Sequence, residues 1–443
     1  MTAHASTQGR ASNFPVSPEV AAQYKCGAAC HDYLNTTTKM DLEDFDTPFD
    51  FEFYETAKNL SGSKPGEILK LKPIDPQVVD VPSGATIYKI QYTSVDMDNE
   101  TIVPATGFIA FPYVHQDDTF KLVAFAHGTS GVFRGCAPST SSTLYDYDTW
   151  IPLIYAGYAV VGTDYAGLGN NFTSHKYIAN NANANDVYWS VIAAQKAFPC
   201  SLSKDWVSIG HSQGGGASWK LSESQAVQSK ESGYLGGVAV APNTHIYDAF
   251  LAGSELLKDL SDEELRDYGS ASYVPSLYFA LRAAFPSDEL LFLSDLSKKR
   301  FQLGEYAQLC AAALPAVVHD LNQSQIITSS NPSDFSILKK FQNLNAPAQG
   351  ARTSRPLLVI VGANDTTVDP AITAEAFRNS CKVGNALHLS IYPELEHSQV
   401  FGASAPQWLN FIKELFQGHG LRNCDKETMI TFDAAYASKR QEG

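Results

Sequence analysis

The stretch VSIGHSQGGG, Val207–Gly216, places Ser212 between an apolar run and a glycine-rich segment. By chance, Gly-x-Ser-x-Gly occurs in roughly one chain in six or seven of this length, if Gly and Ser each make up about 7% of residues. The motif alone therefore does not identify a nucleophile. A serine hydroxyl becomes reactive only when a base removes its proton and an acid orients that base, so the chain must also supply both partners.

Two later segments carry residues of the required types. VGANDTTVDP contains Asp365 just after an apolar run, and YPELEHSQVF contains His397 after the next one. The order Ser, Asp, His is that of α/β-hydrolases. Asp369 competes with Asp365 for the role of the acid, but its place directly before Pro370 is typical of a helix N-cap. We therefore predict a catalytic triad of Ser212, Asp365 and His397.

Acyl transfer also requires donors for the negative oxygen of the tetrahedral intermediate. The segment AHGTSG follows an earlier apolar run, so the backbone N–H of Thr129 is predicted to act together with that of Gln213, the residue after the nucleophile. The Thr129 hydroxyl is a candidate third donor. We expect His127 and His211, which flank these positions, to pack or to support the site. Asp164 follows a strand that precedes the nucleophile, so we expect it to hold its own loop.

The elements that must position these residues are short apolar runs bounded by Gly, Pro and Asp, which predict eight strands. From the third strand onward, segments of helical period separate the runs, which predicts a mostly parallel sheet with helices on both faces. Ser212 then follows the fifth strand, where a sharp turn would need small residues at Gly210 and Gly214. The first two strands, joined by SVDMDNET, are predicted to form a hairpin. The predicted strands are Ile87–Tyr92, Thr106–Phe111, Leu122–Ala126, Tyr158–Gly162, Trp206–Gly210, Gly237–Ala241, Leu357–Val361 and Leu387–Tyr392.

One interval is too long for a single crossover helix. About a hundred residues separate Ala241 from Leu357, which indicates an inserted helical cap. Its apolar stretches, Val274–Phe285 and Tyr306–Leu321, either pack on the core or line an acyl pocket above Ser212. The predicted organisation is an N-terminal wrap (1–63), a first part of an α/β-hydrolase core (64–243), the cap (244–350) and a second part of the core (351–443).

Composition limits the partners and the compartment. The 443 residues include 32 basic and 47 acidic side chains, a formal net charge of −15, which argues against nucleic-acid binding. No apolar run is long enough for an integral membrane span, and the N-terminus lacks the apolar stretch of a signal peptide. Seven cysteines and six Asn-x-Ser/Thr sites favour a secreted chain whose signal has been removed. These sites are Asn35, Asn59, Asn99, Asn171, Asn322 and Asn364.

Five segments, FAHGTSGVFRGCAPS, GYAVVGTDYAGLG, SIGHSQGGG, VIVGANDTTVDP and ELEHSQVF, together with KPGEILKLKPI, resemble the fungal secretory lipase family. That family includes the lipase A type of Candida yeasts, and the resemblance runs from about Lys64 to Phe416. It implies a secreted serine hydrolase that needs no cofactor and no metal. Its α/β-hydrolase core would hold an eight-stranded, mostly parallel sheet, with the helical cap inserted after the sixth strand.

The resemblance also implies how the cysteines pair. A bridge from the Cys-Ala-Pro-Ser segment to the cap maps onto Cys136 with Cys310, and one near the C-terminus maps onto Cys381 with Cys424. Cys26 and Cys30 would close a small N-terminal loop. Cys200 would then be left free.

The function that these observations predict is carboxylic-ester hydrolysis through an acyl-enzyme on Ser212. The substrate would be a lipid ester or an acylated hydrophobic metabolite such as an acetylated trichothecene, because the resemblance extends to enzymes that deacylate such esters. A serine peptidase on the same fold is one alternative, although no propeller repeat accompanies the core. A binding protein on an inactive hydrolase fold is another, but no triad member is missing. The sequence carries no pattern that specifies an oligomeric state.

Overall fold

A ten-stranded sheet organises the chain in the computed structural model, which describes residues 9–114, 117–256, 273–329 and 332–438. The spatial order of the strands is β1-β2-β3-β5-β4-β6-β7-β8-β9-β10. The strands are β1 Ile68–Pro73, β2 Thr86–Val95, β3 Ile102–Phe111, β4 Phe120–Ala126, β5 Ala159–Thr163, β6 Leu202–His211, β7 Tyr234–Val240, β8 Leu357–Gly362, β9 Leu387–Tyr392 and β10 Asp425–Thr428.

The sheet is antiparallel at one end and parallel through the rest. β1, β2, β3 and β5 pair antiparallel in that order, and β2 and β3 form the predicted hairpin, with Val95 opposite Ile102. All pairings from β5 through β4 to β10 are parallel. The carboxyl ends of β4, β6, β8 and β9 therefore meet at one edge of the sheet, and the loops after them can bring distant side chains together.

Eight strands were predicted and ten are present. The two that the prediction missed are the edge strands β1 and β10. β1 is half-exposed and carries Lys70, Lys72 and Pro73, so it lacks the apolar run of a buried strand. β10 consists of four exposed polar or charged residues and is identified only by its pairing with β9. β1 alternates Leu and Lys and is at most half-buried, and β10 is polar throughout, so neither has the continuous apolar run of a buried strand.

Helices cover both faces of the sheet. Along β4, Leu122 and Ala124 belong to the core under the helix Asn180–Ala197, while Val123 and Phe125 belong to the core under Tyr147–Tyr155. The described helices are Pro18–Gln23, Ala28–Asp44, Phe51–Tyr54, Tyr147–Tyr155, Asn180–Ala197, Gln213–Glu223, Ile246–Leu256, Val274–Ala284, Asp295–Ala307, Gln323–Ile326, Ser336–Asn345, Pro370–Lys382, Gln399–Ala403 and Ala405–Phe416. Among the described residues, none of these helices has the length and apolar character needed to cross a bilayer.

The segment between β7 and β8 is helical where it is described, and it has a core of its own. Leu281, Phe301 and Leu314 lie in that core, and Leu34 of the N-terminal helix Ala28–Asp44 packs into it. The N-terminal segment therefore packs against the cap as well as the sheet. The domain boundaries at 244 and 350 stay a prediction.

Three disulfides cross-link the chain: Cys26–Cys30, between residues four positions apart, and Cys136–Cys310 and Cys381–Cys424, between more distant segments. The second ties the loop after β4 to the cap, and the third ties β10 to the helix Pro370–Lys382. Cys200 is exposed and unpaired. These are the pairings that the family resemblance implies, and they fit an extracellular protein.

Candidate active site

Ser212 follows β6 directly and begins the helix Gln213–Glu223 in a backbone conformation that L-residues rarely adopt, with φ 55° and ψ −115°. A Cβ at Gly210 would lie 2.1 Å from the Gly214 carbonyl oxygen, and a Cβ at Gly214 would lie 1.9 Å from the Ala126 carbonyl oxygen. Both positions therefore exclude any side chain. This close packing holds the sharp turn, with Ser212 N–H donating to Val240 O at 3.0 Å.

His397 and Asp365 meet at the same edge of the sheet, in the loops after β9 and β8. His397 Nδ1 lies 2.7 Å from Asp365 Oδ2. The other carboxylate oxygen accepts the backbone N–H groups of Thr367, at 2.9 Å, and Val368, at 2.8 Å. The carboxylate is thus held from both sides. It fixes the imidazole with Nδ1–H as the donor and Nε2 as the acceptor.

The free nitrogen of His397 is what the predicted chemistry needs. Its Nε2 is buried and has no hydrogen-bond partner among the described residues. His211, the residue before the nucleophile, places its Nε2 3.0 Å from the His397 carbonyl oxygen. Burial lowers the pKa of His211 to about 3, so this neutral ring donates Nε2–H to that carbonyl. The predicted base is therefore hydrogen-bonded, through its backbone carbonyl, to the residue that adjoins Ser212.

Asp369, the competing acid, lies apart from this arrangement. It is the N-cap of the helix Pro370–Lys382, where its side chain accepts the Ala371 N–H at 2.7 Å. Asp164 is also occupied elsewhere: it accepts bonds from Ser139 N–H, at 2.8 Å, and the Thr106 hydroxyl, at 2.7 Å. These bonds hold the loops after β4 and β5 together.

The backbone N–H groups of the two predicted oxyanion donors are not engaged in hydrogen bonds within the described residues. No acceptor in the described part of the chain takes the backbone N–H of Thr129 or of Gln213. The Thr129 hydroxyl lies 3.0 Å from the Tyr177 hydroxyl. A Cβ at Gly128 would lie 2.5 Å from the Tyr145 hydroxyl, so the loop passes this ring without room for a side chain. Two tyrosine hydroxyls therefore flank the candidate donor loop.

The side chain of Gln213 is held by residues that the sequence did not single out. Its Nε2 lies 3.0 Å from His175 Nε2 and 3.2 Å from Asn183 Oδ1. Burial lowers the pKa of His175 to about 3, and its Nδ1 lies 3.1 Å from the Ala166 carbonyl oxygen. The neutral ring therefore donates from Nδ1 and accepts from Gln213. Of the residues that hold the Gln213 side chain, only Asn183 could have been singled out from the sequence, because it is a polar residue on the buried face of its helix.

His127, the other histidine beside the donor loop, is also neutral. Burial lowers its pKa to about 4, and its Nδ1 lies 2.6 Å from the Gly128 carbonyl oxygen. Its Nε2 lies 3.3 Å from the Asp164 carbonyl oxygen. It supports the start of the donor loop. Among the described residues, no group of His, Cys, Asp and Glu side chains is arranged to hold a metal ion.

The chain has the α/β-hydrolase fold, with two more strands than predicted. Among solved structures, Candida antarctica lipase A in its closed state is 18% identical, over 84% of this chain and 87% of that one, with a TM-score of 0.66. The rice cell wall degrading esterase LipA from Xanthomonas oryzae is 17% identical over 80% of this chain and 97% of that one, with a TM-score of 0.57.

A putative hydrolase from Legionella pneumophila is 18% identical over 80% of this chain and 100% of that one, with a TM-score of 0.61. No protein-family model matches the sequence, and no curated protein is detectably similar to it. At these identities the likeness establishes the fold. The chemistry must be argued from the site itself.

Proposed function

We propose that this chain is a serine-dependent carboxylic-ester hydrolase in which Ser212, His397 and Asp365 form the catalytic triad. The observation that carries the proposal is the 2.7 Å contact between His397 Nδ1 and Asp365 Oδ2, which leaves a buried Nε2 without a partner among the described residues, on a loop that is bonded to the residue before Ser212. A lipase and an esterase among the solved structures with this fold support the same reaction class.

In the first half-reaction, Ser212 Oγ attacks the acyl carbon while its proton moves to His397 Nε2. Asp365 stabilises the imidazolium that forms. The carbonyl oxygen becomes an oxyanion and accepts the N–H groups of Thr129 and Gln213. When the intermediate collapses, the bond to the alcohol oxygen breaks, His397 returns the proton to that oxygen, and the alcohol leaves an acyl-serine behind.

In the second half-reaction, water takes the place of the alcohol. His397 accepts a proton from the water as its oxygen attacks the acyl carbon, and the same two N–H groups stabilise the second oxyanion. Collapse breaks the bond to Ser212 Oγ, which regains its proton from His397. The carboxylic acid is released, and the free enzyme is restored.

The proposed substrate is a lipid ester or an acylated hydrophobic metabolite, such as an acetylated trichothecene. The ring centroids of Phe279, in the cap, and Phe133 are 5.0 Å apart. Phe133 lies on the loop that carries Thr129. Apolar cap residues thus contact the donor loop, and ester sites are mostly apolar clefts with a few polar groups. Resemblance to the fungal secretory lipases supports the same substrate class.

We also propose that the protein is secreted. The three disulfides support an oxidising compartment. All six Asn-x-Ser/Thr asparagines are exposed, as attachment of a glycan requires.

One experiment tests the reaction class. The wild type should hydrolyse p-nitrophenyl esters in a panel from acetyl to palmitoyl, with a tributyrin emulsion alongside, and a fluorophosphonate should label it on one serine. Ser212→Ala should lose both labelling and turnover. The matched control is Ser224→Ala, which alters the far end of the same helix and should keep both.

The alternative functions predict different results. Cleavage of peptide anilides without cleavage of esters would identify a peptidase instead. A wild type that is folded but neither labelled nor active on any ester would identify a binding protein.

A further inference from the structure

The loop that carries Thr129 is bonded to the cap at the next two residues. Ser130 O accepts the backbone N–H of Ala311 at 3.2 Å. Gly131 then pairs with Cys310 in an isolated antiparallel bridge. The cap therefore holds the backbone of this loop directly beyond the candidate oxyanion donor.

A buried carboxylate holds the same cap segment from its other side. Asp41, on the N-terminal helix Ala28–Asp44, accepts the Ala312 N–H through Oδ1 at 2.9 Å and the Ala313 N–H through Oδ2 at 3.0 Å. Successive N–H groups at the start of a helical turn form an anion site, which suits a carboxylate. Asp41 is only 1% exposed, so no water competes for these bonds. We call Asp41, Ser130, Gly131 and the segment Cys310–Ala313 the cap junction.

Two further contacts make the cap junction rigid. Cys310 is joined to Cys136, and a Cβ at Gly131 would lie 2.7 Å from the Cys136 sulfur, so the loop lies directly on the disulfide. The backbone N–H of Cys310 donates to Asn13 Oδ1 at 3.1 Å. Four consecutive N–H groups of the cap segment are thus each bonded to a residue outside the cap.

We propose that Asp41 is a positioning residue for the candidate oxyanion loop and acts through the cap junction. This role rests on the proposed function, because the placement of Thr129 matters only if its N–H receives an oxyanion. Such a donor must lie about 2.7–3.1 Å from the oxygen of the transition state. Asp41 holds the backbone N–H groups of Ala312 and Ala313. The adjoining Ala311 binds the backbone carbonyl of Ser130, which is the residue after Thr129. Loosening this path weakens binding of the transition state more than binding of the ester.

The test compares two buried carboxyls that both bind the backbone of the chain between β7 and β8. Asp41→Asn keeps the volume but turns an amide N–H₂ toward one of the two N–H donors. Glu223→Gln is the matched control: Glu223 accepts the Ala348 N–H at 2.8 Å, close to β8 and outside the cap junction. In both, burial raises the pKa of the carboxyl to about 7.

Asp41→Asn should lower kcat on p-nitrophenyl acetate about tenfold, with KM within about twofold of the wild type, and should weaken an alkyl boronic acid inhibitor by a similar factor. Glu223→Gln should leave kcat and boronate affinity unchanged. Each variant is assayed about 15 °C below its own midpoint, so that differences in folding do not enter kcat.

A second pair of variants covers the case in which Asp41→Asn does not fold. Cys136→Ser/Cys310→Ser removes the covalent part of the cap junction and should also lower kcat, whereas Cys381→Ser/Cys424→Ser should not. The positioning role would be overturned if Asp41→Asn had the same kcat as Glu223→Gln and the two disulfide variants also had the same kcat as each other. A wild type that hydrolyses no ester and takes no fluorophosphonate would instead refute the proposed function, so the two failures are distinguishable.

Discussion

His211 donates its Nε2–H to the backbone carbonyl of His397, with 3.0 Å between the two atoms, although the residues are 186 positions apart. The residue before Ser212 thus holds the loop that carries His397. Because burial keeps the His211 ring neutral, this bond is present over the whole pH range of an ordinary assay. It links the Ser212 turn to the His397 loop without using the His397 imidazole.

Removing this bond should reduce kcat. In His211→Ala the His397 carbonyl loses its donor, and we expect kcat to fall about tenfold while KM changes little. His211→Gln, whose amide can still donate, should recover part of the loss. Steady-state kinetics on p-nitrophenyl acetate measure this. Equal activity of the wild type and the two variants would show that the His397 loop keeps its position without this bond.

The assignment of the acid can be tested with two conservative substitutions. Asp365→Asn should lower kcat on the order of 10⁴-fold, because the amide no longer selects the productive imidazole tautomer. Asp369→Asn should leave kcat within about twofold, because asparagine is also a good helix N-cap. The reverse ranking would move the catalytic acid to Asp369.

Substitutions at two neighbouring cap residues test whether the cap lines the acyl pocket or only packs in its own core. Phe279 is half-buried against Phe133, whereas Leu281 is fully buried in the core of the cap. Phe279→Glu should keep acetyl ester hydrolysis and reduce kcat/KM for long acyl chains. Leu281→Ala should cost about 2–5 kcal/mol of stability and leave the acyl-length profile of the folded protein unchanged. An unchanged profile in both variants would place the acyl pocket elsewhere.

The contribution of three buried carboxyls to folding stability should fall as the pH rises from about 4 to about 7, whereas the three buried histidines of the site, whose pKa values are lowered, contribute in the opposite sense. Burial raises the pKa of Asp41 and Asp186 from 3.8, and of Glu223 from 4.5, to about 7 in each case. Between the unfolded and folded values the native state binds more protons, so the stability present at low pH is lost as each group ionises. Chemical unfolding of wild type and Asp186→Asn at pH 5 and pH 8 measures the contribution of Asp186: the change in the free energy of unfolding from pH 5 to pH 8 should be more positive in the variant than in the wild type. An equal or more negative change in the variant would contradict the raised pKa of Asp186.

Much of the fold could be predicted from local pattern. Buried parallel strands such as Leu357–Gly362 are continuous apolar runs bounded by turn residues, and all eight predicted strands are present, with bounds that differ by a few residues. The Gly-x-Ser-x-Gly turn was visible because its glycines meet a steric requirement that only glycine satisfies. The hairpin was visible because its two strands are adjacent in the chain.

The candidate triad was predictable for a related reason. Asp365 and His397 come directly after apolar runs, and parallel strands bring the residues at their carboxyl ends to one edge. The sequence therefore indicated which residues would meet at that edge. Their catalytic role stays a prediction until it is measured.

Tertiary structure alone decided the rest. The edge strands Ile68–Pro73 and Asp425–Thr428 are at most half-buried, so they lack the continuous apolar run of a buried strand and are identified by the backbone bonds they make. Asp41 and Ala312 are 271 positions apart, and His175 and Gln213 are 38 apart. A polar contact of this kind leaves no periodic trace in the chain, because it depends on where packing brings two surfaces together. The contacts that support the candidate site therefore depend on how the core and the cap pack, whereas local sequence was enough to predict which candidate residues would meet at the edge of the sheet.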